Sequence, residues 1–175
     1  MQLYNSEPFY KKLKPLIGSF ILLPLMLYIG LNRGKYFLID WFNLLIHEGG
    51  HGVFMFFGKY IHALGGTLMQ IIIPSLFIYY TAKRKYLFLT QLFLIWLAEN
   101  LVNISVYAAD ARARKLPLLG GKKVYHDWTY LLSTIGIWEY DQAVGLFFYS
   151  TAIGIFVLVF LLPFLMPRRD KLYTE

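Results

Sequence analysis

His47-Glu48-Gly49-Gly50-His51 is a stretch whose residue types and spacing spell out a reaction. On a helix, residues four apart share a face, so both imidazoles can reach one metal ion. Glu48 projects about 100° from His47, close enough for its carboxylate to act on a water bound to that ion. The surroundings sharpen this reading. Residues 36–57 read YFLIDWFNLLIHEGGHGVFMFF, an apolar run long enough for a membrane helix. His47 lies eleven residues beyond Tyr36, about 16 Å along a helix rising about 1.5 Å per residue. That places it near the middle of a roughly 30 Å hydrocarbon layer. Two histidines and a glutamate at such a depth need a compensating partner, and a divalent cation, zinc, is the simplest. The plainer reading is a histidine pair packed against polar partners in a helix bundle.

Gly49, Gly50 and Gly52 crowd into the same segment. Each glycine lowers helix stability by about 1 kcal/mol relative to alanine. A thin backbone serves either close helix packing or space beside a metal for a substrate backbone, and the two roles are compatible.

A catalytic zinc takes three protein ligands and one water. The candidates for the third ligand are His126, Asp127, Asp110 and His62. His62 follows the motif by eleven residues and is the weakest. His126 is favoured and Asp127 stands close behind, because Leu116-Pro117-Leu118-Leu119-Gly120-Gly121 supplies a turn that returns the chain to the site. Asp127 has two other readings: an N-cap of a helix over Trp128 to Trp138, and a carboxylate orienting His126. The stretch before the long loop carries a polar stripe. Trp96, Glu99, Asn103, Tyr107 and Asp110 recur at spacings of three and four, with Asn100 beside them. In lipid such a face points into the bundle. Asn100 and Asn103 there serve interhelical hydrogen bonds, or hold a substrate backbone. Asp110, at the membrane edge, can pair with Arg112 or Arg114.

The elements that must position these groups are helices in a membrane. The 175 residues are 58% hydrophobic, with a mean hydropathy of +0.51, which fits a membrane protein better than a soluble one. The absence of cysteine excludes disulfides and a thiolate zinc site. The net charge of +7 is carried by short clusters between apolar runs, as membrane-flanking charges are, so no nucleic-acid partner is expected. The N-terminal stretch lacks a small-residue cleavage site after its first apolar run and reads as a retained tail.

The fold class expected is all-α: one polytopic integral membrane domain over 1–175, with about five transmembrane helices. The candidate spans are 15–31, 36–57, 64–82 with Pro74 as a kink, 86–109, and 144–166, stopped by Pro167-Arg168-Arg169. A structured loop over 110–142, carrying a short interfacial helix, separates the fourth and fifth. With five spans, Lys11, Lys12, Lys14, Lys59, Arg112, Arg114, Lys115, Lys122 and Lys123 face Arg33, Lys35, Lys83, Arg84, Lys85, Arg168, Arg169 and Lys171. This near-tie sets no orientation and is also expected if one segment is re-entrant.

The chain resembles the site-2-protease class of intramembrane zinc metalloproteases, the M50-like peptidases. The resemblance rests on His47-Glu48-Gly49-Gly50-His51 in a spanning helix, then Gly58, then Leu64-Gly65-Gly66. It implies a Zn2+ cofactor and a third ligand from a later aspartate in a Leu-Asp-Gly context. This sequence has Leu118-Leu119-Gly120-Gly121 instead, and its nearest acidic candidate is Asp127. The chain is also similar, over most of residues 40–140, to a group of small bacterial membrane proteins sharing H-E-x-G-H, Leu-Gly-Gly-Thr and His-Asp-Trp elements. That implies a place in the bacterial inner membrane.

The leading expectation is a zinc metalloprotease cutting a membrane-embedded or juxtamembrane peptide bond, its partners being the bilayer and a membrane peptide or protein. His47, His51 and His126 or Asp127 hold the metal, and Glu48 is the general base. The alternatives are a zinc hydrolase of a lipid, a non-catalytic metal-binding or transport protein, and an interaction protein with a degenerate site.

Overall fold

A computed structural model describes residues 16–116 and 126–166. About 85% of these residues are helical and no strand occurs among them. We number the helices α1 (Ile17–Leu31), α2 (Leu38–Phe54), α3 (Gly58–Lys83), α4 (Leu87–Ala109), α5 (Asp127–Thr134) and α6 (Asp141–Leu165). Each of the five expected apolar segments falls on one of α1, α2, α3, α4 and α6, and the expected short helix of the long loop is α5. The N-terminal tail, the turn at 117–121, Lys122, Lys123 and the Pro167-Arg168-Arg169 stop lie outside the described residues.

Three helical stretches are long and apolar enough to cross a membrane: Leu38–Lys83, Leu87–Ala109 and Trp138–Leu165. Ile17–Leu31 is a shorter apolar helix. The distribution of side chains agrees with a membrane protein. Ser19, Gln91 and Asn100 are buried, while Ile21, Phe147 and Leu161 face outward. That is the reverse of what water selects.

Helix α4 is the axis. One side packs on α1 and α6 through an apolar core that includes Met26, Leu94, Ala98, Ile104, Phe156 and Val159. Gln91 pins all three helices, giving hydrogen bonds to Ser19 Oγ (2.8 Å) and the Val159 carbonyl (2.9 Å). The other side of α4 carries the polar stripe and faces α2, α3 and α5.

Cross-links set the helix directions. Thr90 meets Thr81, and Gln70 meets Asn100, so α3 and α4 are antiparallel. Ser19 meets Gln91 and Arg33 meets Ser105, so α1 runs parallel to α4. Gly145 packs on Ser105 and Ala109 while Val159 meets Gln91, so α6 runs antiparallel.

The stretch Leu38–Lys83 is not one rod. It reverses at Met55–Phe57 and Gly58, whose φ of +82° is a conformation glycine adopts without strain. The end of α2 consequently lies beside the start of α3, near the Ala109 end of α4, while its start lies against Asn103 and Trp96. Asp40, near its start, accepts a hydrogen bond from Asn103, and His51, near its end, meets His62 and Asp127. Between them Asn43 reaches in as far as Trp96. The mid-layer depth expected for His47 therefore does not follow from counting along a straight span. Its ring packs against Tyr107, two residues from the end of α4.

Of the three glycines of the motif region, only Gly50 is needed for packing. A Cβ there would overlap the Gly65 backbone, and a Cβ at Gly65 would lie 2.7 Å from the Gly50 carbonyl oxygen. Gly49 and Gly52 have nothing within 4 Å. We predict that Gly50→Ala and Gly65→Ala each lower stability by about 1–3 kcal/mol through overpacking. Gly49→Ala should be neutral or stabilising by up to about 1 kcal/mol. Thermal unfolding of the detergent-solubilised variants by scanning fluorimetry checks this; equal losses at positions 49 and 50 would contradict it.

Candidate metal centre

Asp40, Asn43, His47 and Gly50 form the buried face of α2. Their spacing of three and four keeps them on one stripe, and the Gly50–Gly65 contact presses that stripe onto α3. Gly66 completes the fit, since a Cβ at position 66 would lie 2.5 Å from His47 Nε2. Room for the His47 imidazole thus depends on the absence of a side chain there.

Each imidazole is held from behind by an oxygen. His47 Nδ1 lies 2.9 Å from Gln70 Oε1. His51 Nδ1 lies 2.8 Å from the His62 carbonyl oxygen. A carbonyl only accepts, so His51 carries its hydrogen on Nδ1 and its Nε2 is left for another partner. Both Nε2 atoms converge on Asp127 Oδ2, at 3.1 Å from His47 and 3.3 Å from His51. The three donor atoms lie within 4.8 Å of one another. Ligands at about 2.0–2.2 Å around a tetrahedral zinc stand roughly 3.4 Å apart, so the donor set and its spacing fit such an ion. Oxygen partners behind metal-ligating histidines are the usual support for such ligands.

Asp127 is positioned by α5 and by Tyr107. The Tyr107 hydroxyl donates to Asp127 Oδ2 (3.1 Å) and accepts from the Asp127 backbone N–H (3.2 Å). Burial pushes the Asp127 carboxyl up, but hydrogen bonds from His47 and His51 rings protonated at both nitrogens outweigh this and hold it well below the usual carboxylate range.

Asp127 rather than His126 lies with His47 and His51. His126, the favoured third ligand, is the N-cap of α5, where Nδ1 accepts from the Thr129 N–H at 3.3 Å. Its hydrogen therefore sits on Nε2, which faces Asp110 Oδ2 at 3.5 Å. Burial holds this imidazole below the usual histidine range, against the pull of Asp110 and Asp127. Asp127, read as a possible cap, is the first residue of α5 and projects sideways onto α2. Asp110 does not pair with Arg112 or Arg114 through its carboxylate; it accepts the Lys115 and Leu116 N–H groups at 2.9 and 3.0 Å. Arg112 pairs with Asp141 at 2.7 Å. His62 contributes its carbonyl to His51 and stacks edge-on against it, with 5.4 Å between centroids.

Glu48 is exposed, one position along from His47. Asn100 and Asn103 are not free to hold a substrate backbone through their amide hydrogens. Asn100, 0% exposed, gives its Nδ2 to Asn43 and to the Trp96 carbonyl. Asn103 gives its Nδ2 to Asp40 and Glu99.

Four residues matter here that the motif alone did not single out: Asp40, Asn43, Gln70 and Tyr107. The first two precede His47 by seven and four residues, a helical signal present in the sequence. Gln70 follows Gly66 by four, but nothing local ties it to His47. Comparison with protein-family models, curated proteins and solved structures returned no match.

If His126 is a cap, His126→Ala should cost about 1 kcal/mol of stability, and His126→Asn should restore most of it. Thermal unfolding of the two variants decides; an unchanged midpoint in His126→Ala would remove the capping role.

Proposed function

We propose that this chain is an intramembrane zinc metallopeptidase of the site-2-protease kind. The observation that carries the reading is the convergence of His47 Nε2, His51 Nε2 and Asp127 Oδ2, with Glu48 the next residue after His47. His47, His51 and Asp127 would hold the zinc. A zinc bound there would supply Lewis acidity and make its water acidic near neutral pH. Glu48, exposed and next to His47 in the chain, is the base that takes a proton on its carboxylate and returns it to the leaving amine. Tyr107 keeps Asp127 turned toward α2. Gln70 and the His62 carbonyl hold the imidazoles with Nε2 inward.

Within the bilayer we read α1, α3, α4 and α6 as crossing helices and α2 as a helix that enters and leaves from one face. Support comes from the helix directions above and from the contacts of Asp40 with Asn103 near the start of α2 and of His51 with His62 near its end. The site then lies near one membrane surface, and the substrate is a peptide segment at or just inside that surface. The bacterial inner membrane is the compartment this reading implies.

Elemental mass spectrometry of the detergent-purified protein tests the site. We expect about one zinc per chain, lost in His47→Ala, His51→Ala and Asp127→Ala and retained in His126→Ala and Glu48→Gln. Glu48→Gln should also abolish cleavage of a juxtamembrane peptide substrate. Zinc absent from wild type after zinc is supplied would overturn the reading. Hydrolysis confined to lipid esters or amides would keep the centre and replace the substrate class.

A further inference from the structure

We infer that Trp96, acting through Asn43, Asn100 and Gln70, dictates which nitrogen of His47 carries the hydrogen and so reserves Nε2 for the metal. This inference takes its functional meaning from the metal centre proposed above, but its geometry stands apart from it.

The side chains form an unbroken chain of hydrogen bonds: His47 to Gln70 (2.9 Å), Gln70 to Asn100 (3.2 Å), Asn100 to Asn43 (3.3 Å), and Asn43 to Glu99. Amide groups can be turned either way, so the direction of such a chain must be settled by partners that have no choice. Trp96 supplies two. Its indole N–H can only donate, so the Asn43 atom 2.8 Å away is the oxygen. That leaves the Asn43 nitrogen for Glu99, where a carboxyl oxygen accepts. The Trp96 backbone carbonyl can only accept, so the Asn100 atom 3.0 Å away is the nitrogen. The Asn100 oxygen is left for Gln70, which must present its nitrogen there. The Gln70 oxygen then faces His47 Nδ1, and that nitrogen must be an N–H.

Every bond in the chain therefore donates in one direction, from His47 outward to Glu99. Bonds aligned this way polarise one another. Burial protects the alignment from competing water: Asn43 is 1% and Asn100 0% exposed. Asn103 braces the far end by giving its amide to both Glu99 and Asp40. Gln70, Asn100, Asn43, Trp96 and Glu99 are positioning residues; none of them belongs to the donor group, which the relay reaches through His47.

At Nε2, Asp127 competes for a hydrogen on the same ring. The test removes that competitor. In metal-free, 15N-histidine-labelled Asp127→Ala protein, at a pH where the imidazoles are neutral, multiple-bond proton–nitrogen correlation spectra report the tautomer. The His47 signals are those missing when His47→Ala is added. We expect the hydrogen on Nδ1 in this background, retained when Gln70→Glu is added because its oxygen still accepts. Gln70→Met and Asn43→Leu should move the population toward Nε2–H. In chains with Asp127 intact, chelator competition should show zinc affinity about 10–100-fold weaker for Gln70→Met, recovered in large part by Gln70→Glu.

A bare Nδ1 in the Asp127→Ala protein overturns the inference outright. So does an unchanged tautomer in Gln70→Met together with unchanged zinc affinity. If Asn43→Leu or Gln70→Met fails to fold, the Asp127→Ala and Gln70→Glu spectra decide alone. If the wild-type chain takes up no zinc, the metal centre fails, and the tautomer measurement still settles the relay.

Discussion

The close approach of α2 and α3 is the constraint on which the rest of this structure depends. Gly50 and Gly65 meet backbone to backbone, and Gly66 leaves the volume that the His47 imidazole fills. A side chain at any of the three would push α2 away. His47 and His51 would then lose Gln70 and the His62 carbonyl, the two oxygens that orient them. Reversal of the chain at Gly58 makes this contact possible, because it lays the end of α2 against the start of α3.

Helix α4 divides the molecule by chemistry. Its apolar side builds an ordinary close-packed core with α1 and α6. Its polar side holds a network in which Glu99, Asn100 and Asn103 meet Asp40, Asn43 and Gln70. Unpaired polar groups in a low-dielectric interior are costly, so such a network is stable only when each member finds a partner. Here the partners come from three different helices. The network therefore ties α2, α3 and α4 together at the same time as it orients the site.

Asp127 arrives by a different logic. It stands on an eight-residue helix whose start is capped by His126 and whose approach is held by Asp110. Tyr107 links that short helix to α4 by donating to the Asp127 carboxylate and accepting from its N–H. The candidate centre thus draws two groups from a motif and one from a loop, joined by a tyrosine that belongs to the polar stripe.

Local pattern alone determined much of this. The helical class, the positions of the apolar segments and the pairing of His47 with His51 all follow from periodicity, because residues four apart on a helix have no choice but to share a face. The polar stripe on α4 was legible for the same reason. The identity of the third group at the site was not. His126 and Asp127 are neighbours of opposite roles, and which one caps α5 and which one reaches α2 depends on the angle at which that helix meets the bundle. Gln70 was invisible because its partner lies twenty-three residues away across a chain reversal. The reversal at Gly58 also lays His51 beside His62 and Gly50 beside Gly65, contacts that a straight span would not make. A hydropathy run records that residues are apolar, not that the chain has turned back, and only the packing of Gly50 on Gly65 decides that.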